Sequence, residues 1–143
     1  MDHPDPELVA RTLYARDPSA HALGIELVSA SLDGAEVRMT VRPDMCNGFE
    51  MLHGGMTFLL ADSAMAFASN VGNEVALASS ASIDWLAPVR VGQTLTATAV
   101  RRWSGGRSDL WEITVRAGDG SSADQVVAVM QGRTKRVGRP VVE

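Results

Sequence analysis

The residues with the clearest capacity for chemistry are His53-Gly54-Gly55 and the apolar run that follows them, Met56 to Val71, which carries one charge, Asp62. Ala, Leu and Met dominate that run and are good helix formers, so the stretch reads as a buried helix. An ionised carboxylate there is costly unless it is paired or used. Two glycines at the helix start can bring bare backbone N–H groups close to a ligand, where the helix dipole favours negative charge. A donor site for an oxyanion and a carboxylate on one helix point to acyl chemistry.

The spacing adds geometry. Asp62 lies seven residues after Gly55, which is roughly 10 Å along a helix axis. Seven residues also return to within ~20° of the same face. Both groups therefore look to one side but stand too far apart to touch one carbonyl carbon. A site that uses both takes Gly55 from one chain and Asp62 from a two-fold partner, and a symmetric dimer makes two such sites. His53 could donate a hydrogen bond to a bound ligand or fix its own loop through the backbone. Ser63 turns away from Asp62 and reads as packing.

The elements that must position these groups can be read outward from the helix. Asp5-Pro6-Glu7 has an N-cap, a proline at the first helical position and an acid in the first turn. Leu8, Val9, Thr12 and Leu13 give that helix an apolar stripe, ended by Asp17-Pro18. A second short turn, Ser19 to Leu23, stops at Gly24. The period then changes to two: Ala35, Val37, Met39 and Val41 alternate with polar residues. Ile25 to Ser31 pairs with that strand across Leu32-Asp33-Gly34, where Asp-Gly is a hairpin signal. Four further strand-like runs follow the central helix, at Leu77–Leu86, Gln93–Trp103, Leu110–Ala117 and Asp124–Lys135. Gly105-Gly106 and Gly118-Asp119-Gly120 supply turns between them. One helix among antiparallel strands is an α+β plan with the helix packed on a sheet face. No repeat or linker divides the chain, so 1–143 is one domain, with 1–22 as an N-terminal helical arm.

Composition narrows the function. The 143 residues are 45% hydrophobic and 21% charged, with a net charge of −4 and a pI near 5.3. That is a globular composition without the basic face that nucleic-acid binding needs. A lone cysteine, Cys46, excludes an intrachain disulfide and reads as a small apolar residue rather than a nucleophile. No secretory h-region precedes the first helix, and the central run is too short to span a bilayer; a cytoplasmic protein is expected. His3, His21 and His53 are scattered and no Cys-x-x-Cys occurs, so no metal site is expected. The glycines at 118 and 120 lie between strands and make a turn, not a dinucleotide site.

An ordered set of motifs carries a resemblance over nearly the whole chain. It comprises His-Ala-Leu-Gly-Ile at 21–25, Asn47-Gly48, His53-Gly54-Gly55 with Leu60-Ala61-Asp62, Ile83-Asp84-Trp85-Leu86-Ala87-Pro88, Gly92-Gln93-Thr94-Leu95-Thr96-Ala97 and Arg133-Thr134-Lys135. Together these resemble the hot-dog fold thioesterases of the phenylacetic-acid-degradation (PaaI-type) branch. The resemblance implies a long central helix wrapped by a curved antiparallel sheet, protomers that join their sheets, and dimers that pair into tetramers. It implies hydrolysis of a coenzyme A thioester, phenylacetyl-CoA or a hydroxylated relative, with coenzyme A as part of the substrate and no separate cofactor. Asp62 then attacks the thioester or activates the water that does. The Gly55 N–H polarises the carbonyl. Asn47 is placed to hydrogen-bond the water or the carbonyl, the alternative being an Asn47-Gly48 turn with no other purpose, and Gly54 lies beside the substrate. Arg133, Lys135 and Arg136, a basic end to the last strand, either receive the phosphates of coenzyme A or form a solvated face. The alternative on the same fold is a non-catalytic acyl-CoA sensor, which has no need of a buried carboxylate.

Overall fold

The computed structural model describes residues 3–143; Met1 and Asp2 of the expected arm lie outside the described residues. Helix α1 spans Pro6–Ala15, and the Asp5 carboxylate accepts from the Leu8 N–H at its start. Its packing face is built from Val9 and Ala10, both buried, with Leu13 and Tyr14 partly covered. Leu8, expected in that stripe, is turned to solvent, because Val9 and Ala10 centre the packed face one step further round. A second helix, α2 (Pro18–Ala22), is capped by Asp17 and ended by Gly24, whose φ of +67° suits glycine.

Six strands form one sheet: β1 (Glu26–Ser31), β2 (Gly34–Thr40), β3 (Ala76–Trp85), β4 (Thr94–Gly105), β5 (Ser108–Gly118) and β6 (Gln125–Arg136). Their order is β1-β2-β4-β5-β6-β3, and each neighbouring pair is antiparallel. The alternation in β2, β4 and β5 does what period two requires: one face of each strand is buried and the other looks out. The buried face meets α3 (Gly54–Asn70), the long helix of a hot-dog fold.

Packing between α3 and the sheet explains two residues whose types are otherwise arbitrary. Gly132 on β6 lies directly under the Met65 sulfur, and a side chain at 132 would occupy that space. Asn70, buried at the end of α3, donates to the carbonyls of Ala66 and Ala76 and accepts from the Ala76 N–H, tying the helix exit to the first residue of β3. Burial of an amide side chain is tolerated because its groups are hydrogen-bonded. Strand β3 differs from the others: only Ala76 is buried and Ile83 half-buried, so the small apolar run is an edge strand.

Candidate active site

Helix α3 has two unlike faces. Leu60, Ala61, Ala64, Met65 and Ala68 are wholly covered by the sheet. Phe58, Leu59, Asp62, Ser63 and Ala66 are half-buried, and Gly55 is exposed at the N-terminal end of the same uncovered side. Ser63 returns its hydroxyl to the Leu59 carbonyl at 2.8 Å, a packing role. Asp62 has no hydrogen-bond or ion-pair partner among the described residues. Burial, with no compensating cation, pushes its carboxyl above the ordinary carboxylate range. A half-buried, unpartnered carboxylate of raised basicity is suited to take a proton from water or to attack an electrophile.

The helix N-terminus is assembled by three interlocking side chains. His53 is the N-cap, and its Nδ1 accepts the Gly55 N–H at 2.9 Å. A neutral imidazole that accepts at Nδ1 carries its proton on Nε2, so the ring presents an N–H outward. Asn47 uses its side-chain oxygen to accept from the N–H groups of Phe49 (2.9 Å) and Met51 (3.3 Å). That fixes the amide flip and leaves Nδ2 as its free donor. Trp85, at the end of β3, donates from Nε1 to the Gly54 carbonyl at 3.1 Å. The indole lies so close over Gly54 that a Cβ there would stand 3.0 Å from Nε1, which accounts for glycine at 54.

Asn47, Gly54 and Trp85 share a cleft of about 380 Å³, lined also by Met51, Thr57 and Leu86. The structure thus brings Asn47, His53, Gly54 and Gly55 together at one end of α3. Asp62 stands two turns further along. Within one chain no carbonyl can meet both Gly55 and Asp62, as the spacing requires. The basic residues lie elsewhere. Arg133 and Lys135 are exposed on the sheet face opposite α3, with the buried Thr134 between them. Arg136 is not a free cation: its guanidinium pairs with the buried Asp109 at 3.2 Å and with Glu74 at 3.6 Å, and donates to the Gly106 carbonyl. A buried carboxylate needs such a partner, so Arg136 is committed to structure in this chain. Trp85 and Thr57 were not singled out from sequence. The Asp84-Trp85-Leu86 run ending at Pro88 was the available signal, since a large aromatic at the end of a strand of small residues has to rest on something.

Among the described residues no group of three His, Cys, Asp or Glu could hold a metal ion, and no helix is long and apolar enough to cross a membrane.

Comparison with known proteins agrees with this fold. Residues 49–123 match the model of the thioesterase superfamily. The acyl-coenzyme A thioesterase PaaI of Escherichia coli K12 is 39% identical over 129 residues, covering 90% of this chain and 89% of that protein. The solved structure of the E. coli PaaI protein, from the phenylacetic acid degradation operon, superposes with a TM-score of 0.87 at 38% identity, covering 93% and 94% of the two chains. A mutant of the phenylacetic acid degradation protein PaaI of Thermus thermophilus gives a TM-score of 0.78 at 30% identity, covering 85% of this chain and all of that one.

Proposed function

We propose, for a chain that belongs to the thioesterase superfamily and is an acyl-CoA thioesterase of the PaaI type, that its substrates are arylacetyl-CoA thioesters, phenylacetyl-CoA or a hydroxylated relative. The support is the phenylacetic acid degradation context of two similar proteins. The products are the free acid and coenzyme A, and no cofactor is consumed.

In the proposed reaction the thioester carbonyl sits at Gly55 and meets Asp62 of the partner subunit. The Gly55 N–H, at the positive end of α3, stabilises the charge that builds on the carbonyl oxygen. Because His53 Nδ1 accepts that N–H in the free protein, the arriving oxygen shares or displaces the imidazole. The free Nδ2 of Asn47 and the outward Nε2–H of His53 are further donors at the same end. Asp62 acts as nucleophile or as general base toward water; both uses need it ionised. Arg133 and Lys135 are left as candidates for the phosphates of coenzyme A. The assembly is a homodimer at least, with a dimer of dimers as the larger form.

The observation that carries this reading is the half-buried, unpartnered Asp62 on the same open helix face as Gly55. Steady-state hydrolysis of phenylacetyl-CoA tests it. Asp62→Asn should lower kcat/KM by ~10² or more. A folded variant that keeps above about a tenth of the wild-type value would remove Asp62 from the chemistry.

A further inference from the structure

A second cavity opens on the Asp62 side of α3. It measures about 580 Å³ and lies between α1, the last turns of α3, the start of β3 and the segment after β6. Leu13, Phe67, Val75, Leu77 and Val141 give it a mostly apolar lining, and Ala66 stands in its wall. Ala66 is four residues after Asp62 on one helix face, so their Cβ atoms are about 5–6 Å apart. The size falls within the ordinary range of ligand pockets.

One wall of this cavity is not part of the sheet or the helices. Arg139, Pro140, Val141 and Glu143 line it, and the segment is held down at three points. The Val75 N–H donates to the Arg139 carbonyl at 2.8 Å. Arg16 of the α1 C-cap donates to the Val141 carbonyl at 3.1 Å. Asn73 grips Val142 at both backbone groups: its Nδ2 donates to the carbonyl at 3.0 Å and its Oδ1 accepts the N–H at 2.9 Å. Asn73 holds a φ of +61°, a conformation that asparagine tolerates better than most non-glycine residues. Its identity fits both demands, the left-handed backbone and the two-point grip.

We propose that this cavity receives the acyl group of the thioester attacked at Asp62 of the same chain, and that the segment Arg139–Glu143, latched by Asn73, is the wall that sets how large an acyl group enters. The inference rests on Asp62 as the catalytic carboxylate. The two substituents of a thioester carbonyl point away from each other. With the thiol arm leaving on the Gly55 side, the acyl group runs the opposite way, past Ala66. A mostly apolar chamber there, with Arg16, Asp17, Arg139 and Glu143 also in its wall, suits an aryl ring or alkyl chain, whose transfer from water is favourable.

Two substitutions move the wall in opposite directions. Val141→Trp narrows the chamber. Asn73→Gly keeps the left-handed backbone without strain but deletes both grips on Val142. Rates are measured with acetyl-CoA, phenylacetyl-CoA and decanoyl-CoA on protein of wild-type assembly state. Val141→Trp should lower kcat/KM for phenylacetyl-CoA relative to acetyl-CoA by about tenfold, the scale at which hydrophobic pockets discriminate. Asn73→Gly should raise the decanoyl-CoA rate relative to phenylacetyl-CoA several-fold. If Val141→Trp does not fold, Val141→Met carries the same test with a smaller shift. Unchanged ratios in folded variants, or both ratios moving in the same direction, overturn the proposal. A wild-type protein inactive on all three thioesters, or an Asp62→Asn variant of full activity, overturns the functional reading beneath it instead.

Discussion

The two edges of the sheet are finished differently. At β1, Arg11 of α1 donates to the Leu27 carbonyl at 2.6 Å and to that of Val28 at 3.4 Å. Just before the strand, the Tyr14 hydroxyl donates to the Ile25 carbonyl at 2.7 Å. The chain thus covers that edge with its own helix. At β3 the run Leu77-Ala78-Ser79-Ser80-Ala81-Ser82 is exposed throughout and carries neither charge nor proline. Charge, proline or a covering helix are the usual means of blunting a sheet edge, and a strand without them is a template for another strand. The bare edge is also the strand whose end seats Trp85 on Gly54. One edge is closed for stability; the other is left open at the strand that borders the candidate active site.

The largest effect should come from reversing that difference. Ala81→Lys with Ser82→Lys puts charge on both faces of β3, where two-fold pairing would bring like charges together. We expect a monomer by light scattering, and hydrolysis reduced by ~10² or more because each site loses its second half. The same pair of lysines at Val28 and Ser29 on β1 should leave assembly and activity near wild type. A β3 variant that is monomeric and active would show that Gly55 and Asp62 do not need two chains.

A smaller recovery sharpens the same point. Asp62→Asn and Gly55→Pro are each expected to be inactive, the second because proline removes the N–H and with it the His53 cap. Mixed dimers hold one site with both defects and one with neither. With free exchange half the dimers are mixed, so activity should return toward about a quarter of wild type by symmetry counting. Native mass spectrometry of tagged subunits establishes the exchange. Proven exchange without recovery would separate the two residues.

The sequence carried the fold further than the site. Period two in Val37, Met39 and Leu95, Ala97, Ala99, and the capping chemistry of Asp5 and Asp17, are local signals, and the corresponding elements are present. Strand β3 also read correctly as a strand, but its exposure did not. Alanine and serine give no alternation from which a free edge could be inferred. At the site, the spacing of Gly55 and Asp62 on one helix face was legible because helical period alone fixes it. The Asn47 grip on Phe49 and Met51, and the indole over Gly54, were not legible, since each depends on a loop or a strand end meeting the helix in space. Arg136 was misleading for the same reason. A cation in a basic run looks free until Asp109, twenty-seven residues away, is folded against it.

The smallest effect concerns the cost of keeping the open face ready. Burial raises the Asp62 carboxyl above its unfolded value. Between the unfolded and folded values the native state therefore binds more protons than the unfolded one, and stability falls as pH rises through that interval. Above the folded value the full penalty is present, and below the unfolded value, near ~3.9, it vanishes. Asparagine keeps the shape and removes the charge. Asp62→Asn should consequently melt higher than wild type at pH 7–8, by roughly a few degrees, and the gap should close as pH is lowered toward 4. Activity should move the opposite way, failing in wild type as pH falls through the raised value because both proposed roles of Asp62 need the anion. A melting difference for Asp62→Asn that is absent at pH 7–8, or that widens on acidification, would mean the carboxylate has a partner in solution and is not the unpartnered group that the proposed reaction uses.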